Sequence, residues 1–142
     1  MSSTTSTSPR IAVIIGGYHK KEATDMLQEA HAVAKEFNLT IVDEVWVHGS
    51  LEKPLALKRV LLREDIDGAV ALGIIERGET KHGLVMGQTV MQSIINLQLE
   101  FMKPIGVGIL GPEILPDQIP PRVRPYAREA MVAVAMMLGK GL

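Results

Sequence analysis

Apolar positions along this chain switch repeatedly between two spacings. Ile11 to Ile15 is an unbroken apolar run that predicts a strand, and it is followed by Gly16-Gly17-Tyr18-His19. From about Lys21 to Phe37 the apolar residues Met26, Leu27, Ala30, Val33, Ala34 and Phe37 fall on one stripe at helical spacing, which predicts a helix. Thr40 to Val47 alternates as a second strand, and Leu55 to Leu62 predicts a short helix opened by Pro54. Ala69 to Ile75 is a third strand, bounded by Asp67-Gly68 and Arg77-Gly78, and a helix follows from about Lys81 to Phe101 with Thr80 as its N-cap. Pro104 to Leu110 is the fourth strand, closed by Gly111-Pro112, and the last helix contains the wholly apolar stretch Ala130 to Leu138.

Strand and helix thus alternate four times with short connections, which predicts a three-layer α/β/α domain around a four-stranded parallel sheet with right-handed crossovers. Ligands of such folds bind at the carboxyl ends of the strands, where Tyr18, Ser50, Glu52, Thr80 and His82 all fall. Residues 10–142 form the domain, and residues 1–9, with SSTTSTS at 2–8, read as a flexible arm that can extend it. Two helices carry more apolar surface than such a small sheet covers. In the third, Val90, Ile94, Leu97 and Phe101 have Met91, Ile95 and Leu99 beside them; the fourth is apolar all round. Covering them calls for a second copy of the chain, although small alanines also tolerate exposure.

The chemistry concentrates in GIIERGETKH, Gly73 to His82. Gly78 permits a tight turn, and the free amides of Gly78, Glu79 and Thr80 at a helix start are suited to a phosphate, provided the Glu79 carboxylate points away. His82 sits in the first helical turn, where the helix dipole disfavours imidazolium and favours a neutral base. The spacing by itself fits an exposed helix-start histidine equally well. Tyr18 is open in the same way, as a packed loop aromatic or a ring-stacking one, and Glu52 beside Lys53 reads as a solvated ion pair.

Leu72-Gly73 followed by Arg77-Gly78-Glu79-Thr80-Lys81-His82 resembles the strand-to-helix site of lumazine synthases, the enzymes that make the last precursor of riboflavin. In the same order, His48-Gly49-Ser50-Leu51-Glu52-Lys53-Pro54-Leu55-Ala56 resembles that family's Pro-Gly-(Ala/Ser)-aromatic-(Glu/Asp)-apolar-Pro-Leu-Ala segment. Lys103-Pro104 to Leu110 is similar to its fourth strand, and Gln118 to Arg122 to its Gln-x-x-x-Arg element. The similarity spans roughly residues 10 to 138, with details of the archaeal branch.

The resemblance implies a flavodoxin-like fold and condensation of 5-amino-6-(ribitylamino)uracil with 3,4-dihydroxy-2-butanone 4-phosphate to 6,7-dimethyl-8-ribityllumazine. It implies a pyrimidine and ribityl pocket formed by Tyr18, Gly49, Ser50, Leu51, Glu52, Ile74, Ile75, Glu76 and Val107. Glu52 would bind ribityl hydroxyls, the backbone around Ser50 would meet the ring, and Tyr18 would stack on it. Gly78, Glu79, Thr80 and Arg122 would hold phosphate, Arg122 coming from the adjacent subunit, although from sequence alone Arg122 reads as a surface arginine. His82 would shuttle protons. The resemblance also implies cytoplasmic homopentamers, sometimes assembled into icosahedral shells, sharing active sites and needing no metal or organic cofactor.

The chain departs from the family pattern at His48 for proline, Leu51 for an aromatic, Lys53 for an apolar residue, and Val107 for the phenylalanine of many bacterial members. Glu76 stands where an apolar residue lies beside the pyrimidine, and it calls for a partner such as Lys53 or Arg77, or for a ligand. These departures motivate two alternatives: a same-fold enzyme with an altered substrate, or a non-catalytic shell or flavin-binding homologue. Archaeal riboflavin synthases share the fold, but their turn sequences resemble this one less.

Composition adds mainly exclusions. The 142 residues and 46% hydrophobic content suit one domain, and a net charge of −1 gives no electrostatic case for nucleic acid or an anionic membrane. There is no cysteine, hence no disulfide or thiolate chemistry. The apolar stretch at 130–138 is too short to span a membrane, the arm does not read as a secretory signal, and the four histidines lack close metal-ligand spacing.

Overall fold

The computed structural model describes residues 8–140. Four strands, β1 (Arg10–Gly16), β2 (Thr40–Val47), β3 (Gly68–Glu76) and β4 (Ile105–Ile114), alternate with four helices, α1 (Lys20–Glu36), α2 (Lys53–Leu61), α3 (His82–Phe101) and α4 (Val123–Met137). Single 3-10 turns cover Ser50–Glu52, Pro116–Gln118 and Pro120–Arg122. Apart from Ser8 and Pro9, the N-terminal arm lies outside the described residues; the Ser8 hydroxyl pairs with that of Thr40.

All strands are parallel in the order β2-β1-β3-β4, as the strand-helix alternation predicts. The two inner strands are those with continuous apolar sequence. Ile11 to Ile15 and Ala69 to Leu72 are fully buried, while β2 lies at an edge and leaves Trp46 42% exposed. Alternate side chains feed two cores. Ile11, Val13, Ile15, Val70 and Leu72 pack under α1 and α4, whereas Ala12, Ile14, Ala69, Ala71 and Ile75 pack under α2 and α3. Each fully buried aliphatic side chain contributes roughly 1.5–3 kcal/mol, so the paired strands and their helices hold the carboxyl edge in place. Arg128 adds a surface clamp, its guanidinium forking onto both Glu36 oxygens at 2.7 Å and holding that carboxyl below its usual range.

Several boundaries differ from those read in the sequence or were not read there. α2 begins at Lys53, one residue ahead of Pro54, which occupies the first turn where its missing N–H costs nothing. α3 begins at His82 with Lys81, in place of Thr80, as its N-cap; the His82 N–H donates to Thr80 Oγ1 at 3.3 Å, so Thr80 reaches the helix from two residues ahead of it. β4 continues beyond Gly111-Pro112 to Ile114, because the sheet register shifts between Ile74 and Glu76 and the proline sits at that irregularity. α4 starts at Val123 and buries Ala130, Met131, Val134 and Ala135 against the sheet, leaving Met136 and Met137 exposed. No helix among the described residues is long and apolar enough to cross a membrane.

α4 approaches β4 through Gly106. A Cβ on Gly106 would lie 2.1 Å from the Ala130 carbonyl oxygen, and neither the strand nor the helix backbone can yield that distance locally. Gly106→Ala is therefore expected to destabilise the fold by about 1–3 kcal/mol, read as a lower urea midpoint; an unchanged midpoint would show that the contact is not close.

Candidate functional site

Strand order reverses between β1 and β3, since the chain leaves β1 toward β2 on one side and leaves β3 toward β4 on the other. Their following segments diverge, which opens a crevice at the carboxyl edge. A cavity of about 320 Å³ occupies it, lined by Gly16 at the end of β1, Tyr18 and His19 after it, His48 to Glu52 after β2, Lys53 at the start of α2, Ile74 of β3, and His82 and Met86 of α3.

The turn after β2 is held by its own side chains. Glu52 Oε1 accepts the Gly49 N–H at 2.7 Å, which fixes the loop and leaves the second carboxylate oxygen for another donor. Tyr18 and His48 face one another with ring centroids 4.9 Å apart and planes tilted by 52°. Tyr18 remains 72% exposed, so one of its faces is open.

Lys53 is the least expected feature of the site. Its side chain is 1% exposed, in place of the solvated pair with Glu52 that the sequence suggests, and its ammonium donates to Ser50 Oγ at 3.1 Å. Burial on the floor of the cavity pushes its pKa down to about 8, partly offset by the nearby Glu52 charge. The tip fits because Gly16 and Gly73 lack side chains; a Cβ on them would lie 3.0 and 2.4 Å from Nζ. Sequence does carry a signal for this burial. Lys53 precedes Ala56, Leu57, Val60 and Leu61 at helical spacing, and those four residues form the buried face of α2.

Glu76 has a partner, but neither of those expected. His19 Nε2 lies 2.7 Å from Glu76 Oε1, joining the segments that leave β1 and β3, while Arg77 pairs with Glu113 at 3.3 Å. The His19 Nδ1 is buried without a partner among the described residues.

Of the residues named from sequence, the structure brings Tyr18, Gly49, Ser50, Leu51, Glu52, Ile74 and His82 to one cavity. Glu76 reaches its rim through His19. Ile75 points into the α2/α3 core, and Val107 packs against that same core from β4. Gly78, Glu79 and Thr80 form an exposed loop before α3, and none of the hydrogen bonds found among the described residues uses their amides. Arg122 is exposed outside the cavity lining, its Nη1 donating to the Gln118 carbonyl at 2.9 Å. Gly16, His19, His48, Lys53 and Met86 are lining residues that were not singled out as site residues. The described residues contain no cluster of acidic, histidine or cysteine side chains that would hold a metal.

The sequence matches a family model described as 6,7-dimethyl-8-ribityllumazine synthase over residues 8–140. Relatives from several organisms carry the same name. The protein from Staphylothermus marinus is 35% identical over 92% of this chain and 87% of its own length. That from Metallosphaera sedula is 34% identical over 92% and 86%, and that from Methanopyrus kandleri is 33% identical over 91% of each.

The buried ammonium sets a pH dependence of stability. Below about pH 8 both folded and unfolded chains hold the Lys53 proton, and the burial penalty is constant. Between about 8 and 10.5 the unfolded chain binds a proton that the folded chain does not, so this contribution to stability rises with pH. The shift corresponds to about 3 kcal/mol. Lys53→Met is expected to lose that rise, so its stability advantage over wild type should shrink between pH 7 and 10.5 in urea titrations. A difference independent of pH would contradict it.

Proposed function

The chain belongs to the 6,7-dimethyl-8-ribityllumazine synthase family, and we propose that it condenses 5-amino-6-(ribitylamino)uracil with 3,4-dihydroxy-2-butanone 4-phosphate. The observation that carries this reading is the convergence of Tyr18, the Gly49–Glu52 turn, Ile74 and His82 on one crevice at the carboxyl edge. The open face of Tyr18 suits a flat pyrimidine, and the free Glu52 oxygen suits a ribityl hydroxyl. The loop Gly78–Thr80 borders the His82 helix and offers amides to a phosphate. Arg122 would complete that phosphate site from a neighbouring copy, its guanidinium forking onto two phosphate oxygens.

The 5-amino group attacks the ketone and water leaves to give an imine; inorganic phosphate is then eliminated, and attack by the ribityl-bearing nitrogen closes the ring with loss of a second water. His82 passes protons between nitrogen, carbon and the departing oxygens. Holding two small substrates in register supplies most of the acceleration, because it removes the entropy of their encounter.

A homopentamer, or a multiple of pentamers, in the cytoplasm follows from the same reading. Val85, Ile95, Leu99 and Met102 leave apolar surface uncovered along α3 and its end, Leu99 at 67% and Met102 at 84% exposure.

Mixing the protein with both substrates tests the reading through lumazine absorbance and phosphate release; a folded oligomer giving neither would refute it. His82→Ala is expected to slow turnover by about 10- to 100-fold, the low end for a proton-transfer group, since proximity survives the change. Arg122→Ala should lower kcat/KM for the phosphate substrate by roughly 10- to 100-fold. Leu99→Glu should shift the assembly toward monomers in sedimentation and remove activity with it; an active monomer would show that the site is complete in one chain.

A further inference from the structure

Lys53 is a buried charge that the protein leaves only partly answered. Its ammonium has three hydrogens, and the acceptor found for it among the described residues is Ser50 Oγ. Glu52 acts on it through space, with one oxygen turned instead to the Gly49 amide. Gly16 and Gly73 present no side chain to the tip, and all three residues stand at the cavity, Gly16 and Lys53 in its lining. The tilted Tyr18 and His48 rings line the same cavity, which favours a flat ligand.

We propose that Lys53 is a specificity-determining residue of this site: its ammonium, steered by Ser50 and by the bare Gly16 and Gly73 backbone, donates to an oxygen on the bound ring. The cavity thereby selects rings with a carbonyl or oxyanion at that edge, against isosteres lacking one. This rests on the lumazine synthase reading and deepens it, since a uracil ring carries two such oxygens. An acceptor favours the charged lysine, so ligand binding and protonation of Lys53 are linked. With Lys53 at about 8 in the free protein, affinity is level below that pH and falls above it, where binding must recapture the proton.

The other ionisable groups around the cavity are Tyr18 and His19 after β1, His48 and Glu52 after β2, Glu76 at the end of β3 and His82 at the start of α3. All are retained when Lys53 or Gly73 alone is changed, so comparison of profiles isolates the lysine. Gly73→Ala is the complementary variant. Its Cβ would meet Nζ at 2.4 Å and Cε at 3.3 Å, with the nearest backbone atom 3.9 Å away, so only the flexible lysine tip has to move.

The test measures Kd for 6-(ribitylamino)uracil, which lacks the reacting 5-amino group, by calorimetry on the full-length assembled protein between about pH 6.5 and 9.5. Wild type should bind evenly up to about pH 8 and lose up to about tenfold per pH unit above it. Lys53→Met should bind about tenfold or more weakly at pH 7 and lack the fall attributable to the lysine. Gly73→Ala should weaken binding comparably, with unchanged circular dichroism and assembly. Superposable wild-type and Lys53→Met profiles, or Gly73→Ala affinity within about twofold of wild type, would overturn the proposal. If Lys53→Met fails to fold, Gly73→Ala decides. Turnover of both substrates alongside an unaltered profile overturns only the role of Lys53; absence of wild-type binding at every pH, with no turnover, overturns the lumazine synthase reading as well.

Discussion

The divergence of the chain at the carboxyl ends of β1 and β3 is the constraint from which the rest of the site follows. Parallel strands need crossovers, and a right-handed crossover can leave a strand toward only one side of the sheet at a time. Where two neighbouring strands send their chains in opposite directions, no segment is available to fill the gap between them. The packed cores on either face make that gap durable, because closing it would require shifting strands buried on both sides. Everything chemically notable here sits at its rim or floor.

Within that gap each inner strand carries a buried glycine near its carboxyl end, Gly16 on β1 and Gly73 on β3. Gly16 and Gly73 remove the side chains that would otherwise plug the crevice, and Lys53 takes the vacated space from the start of α2. A lysine on the apolar face of a helix is a local conflict between pattern and chemistry, of the sort tolerated where function needs it. The His19–Glu76 contact is a second such conflict, bridging the same two strands a little further out. Both lie where the segments leaving β1 and β3 border the cavity.

The fold was legible because its signals are periodic and local. Continuous apolar runs marked β1 and β3 as strands, and alternation marked β2. The end of β4 was misread because proline ordinarily stops a ladder, while here a register shift absorbs it. Site residues adjacent to glycine turns were legible for the same reason, as turns announce themselves in sequence. The partners of Glu76 and Lys53 were not, since those contacts join segments 57 residues apart or depend on a helix starting one residue ahead of its proline. Arg122 shows the remaining limit: a residue's meaning in an assembly is absent from the geometry of one chain.

The burial of Lys53 also bears on covalent labelling. At neutral pH an amine with its pKa near 8 is about one-tenth unprotonated, far more than an ordinary lysine, and so is intrinsically the more nucleophilic. Yet at 1% exposure it meets only reagents small enough to enter the crevice. Bulky acylating dyes or supports would therefore couple to the exposed lysines and spare this one, whereas a small aldehyde shaped for the cavity would find it first. Intrinsic reactivity and access are set by the same enclosure and act in opposite directions, so the size of a reagent decides which amine it modifies.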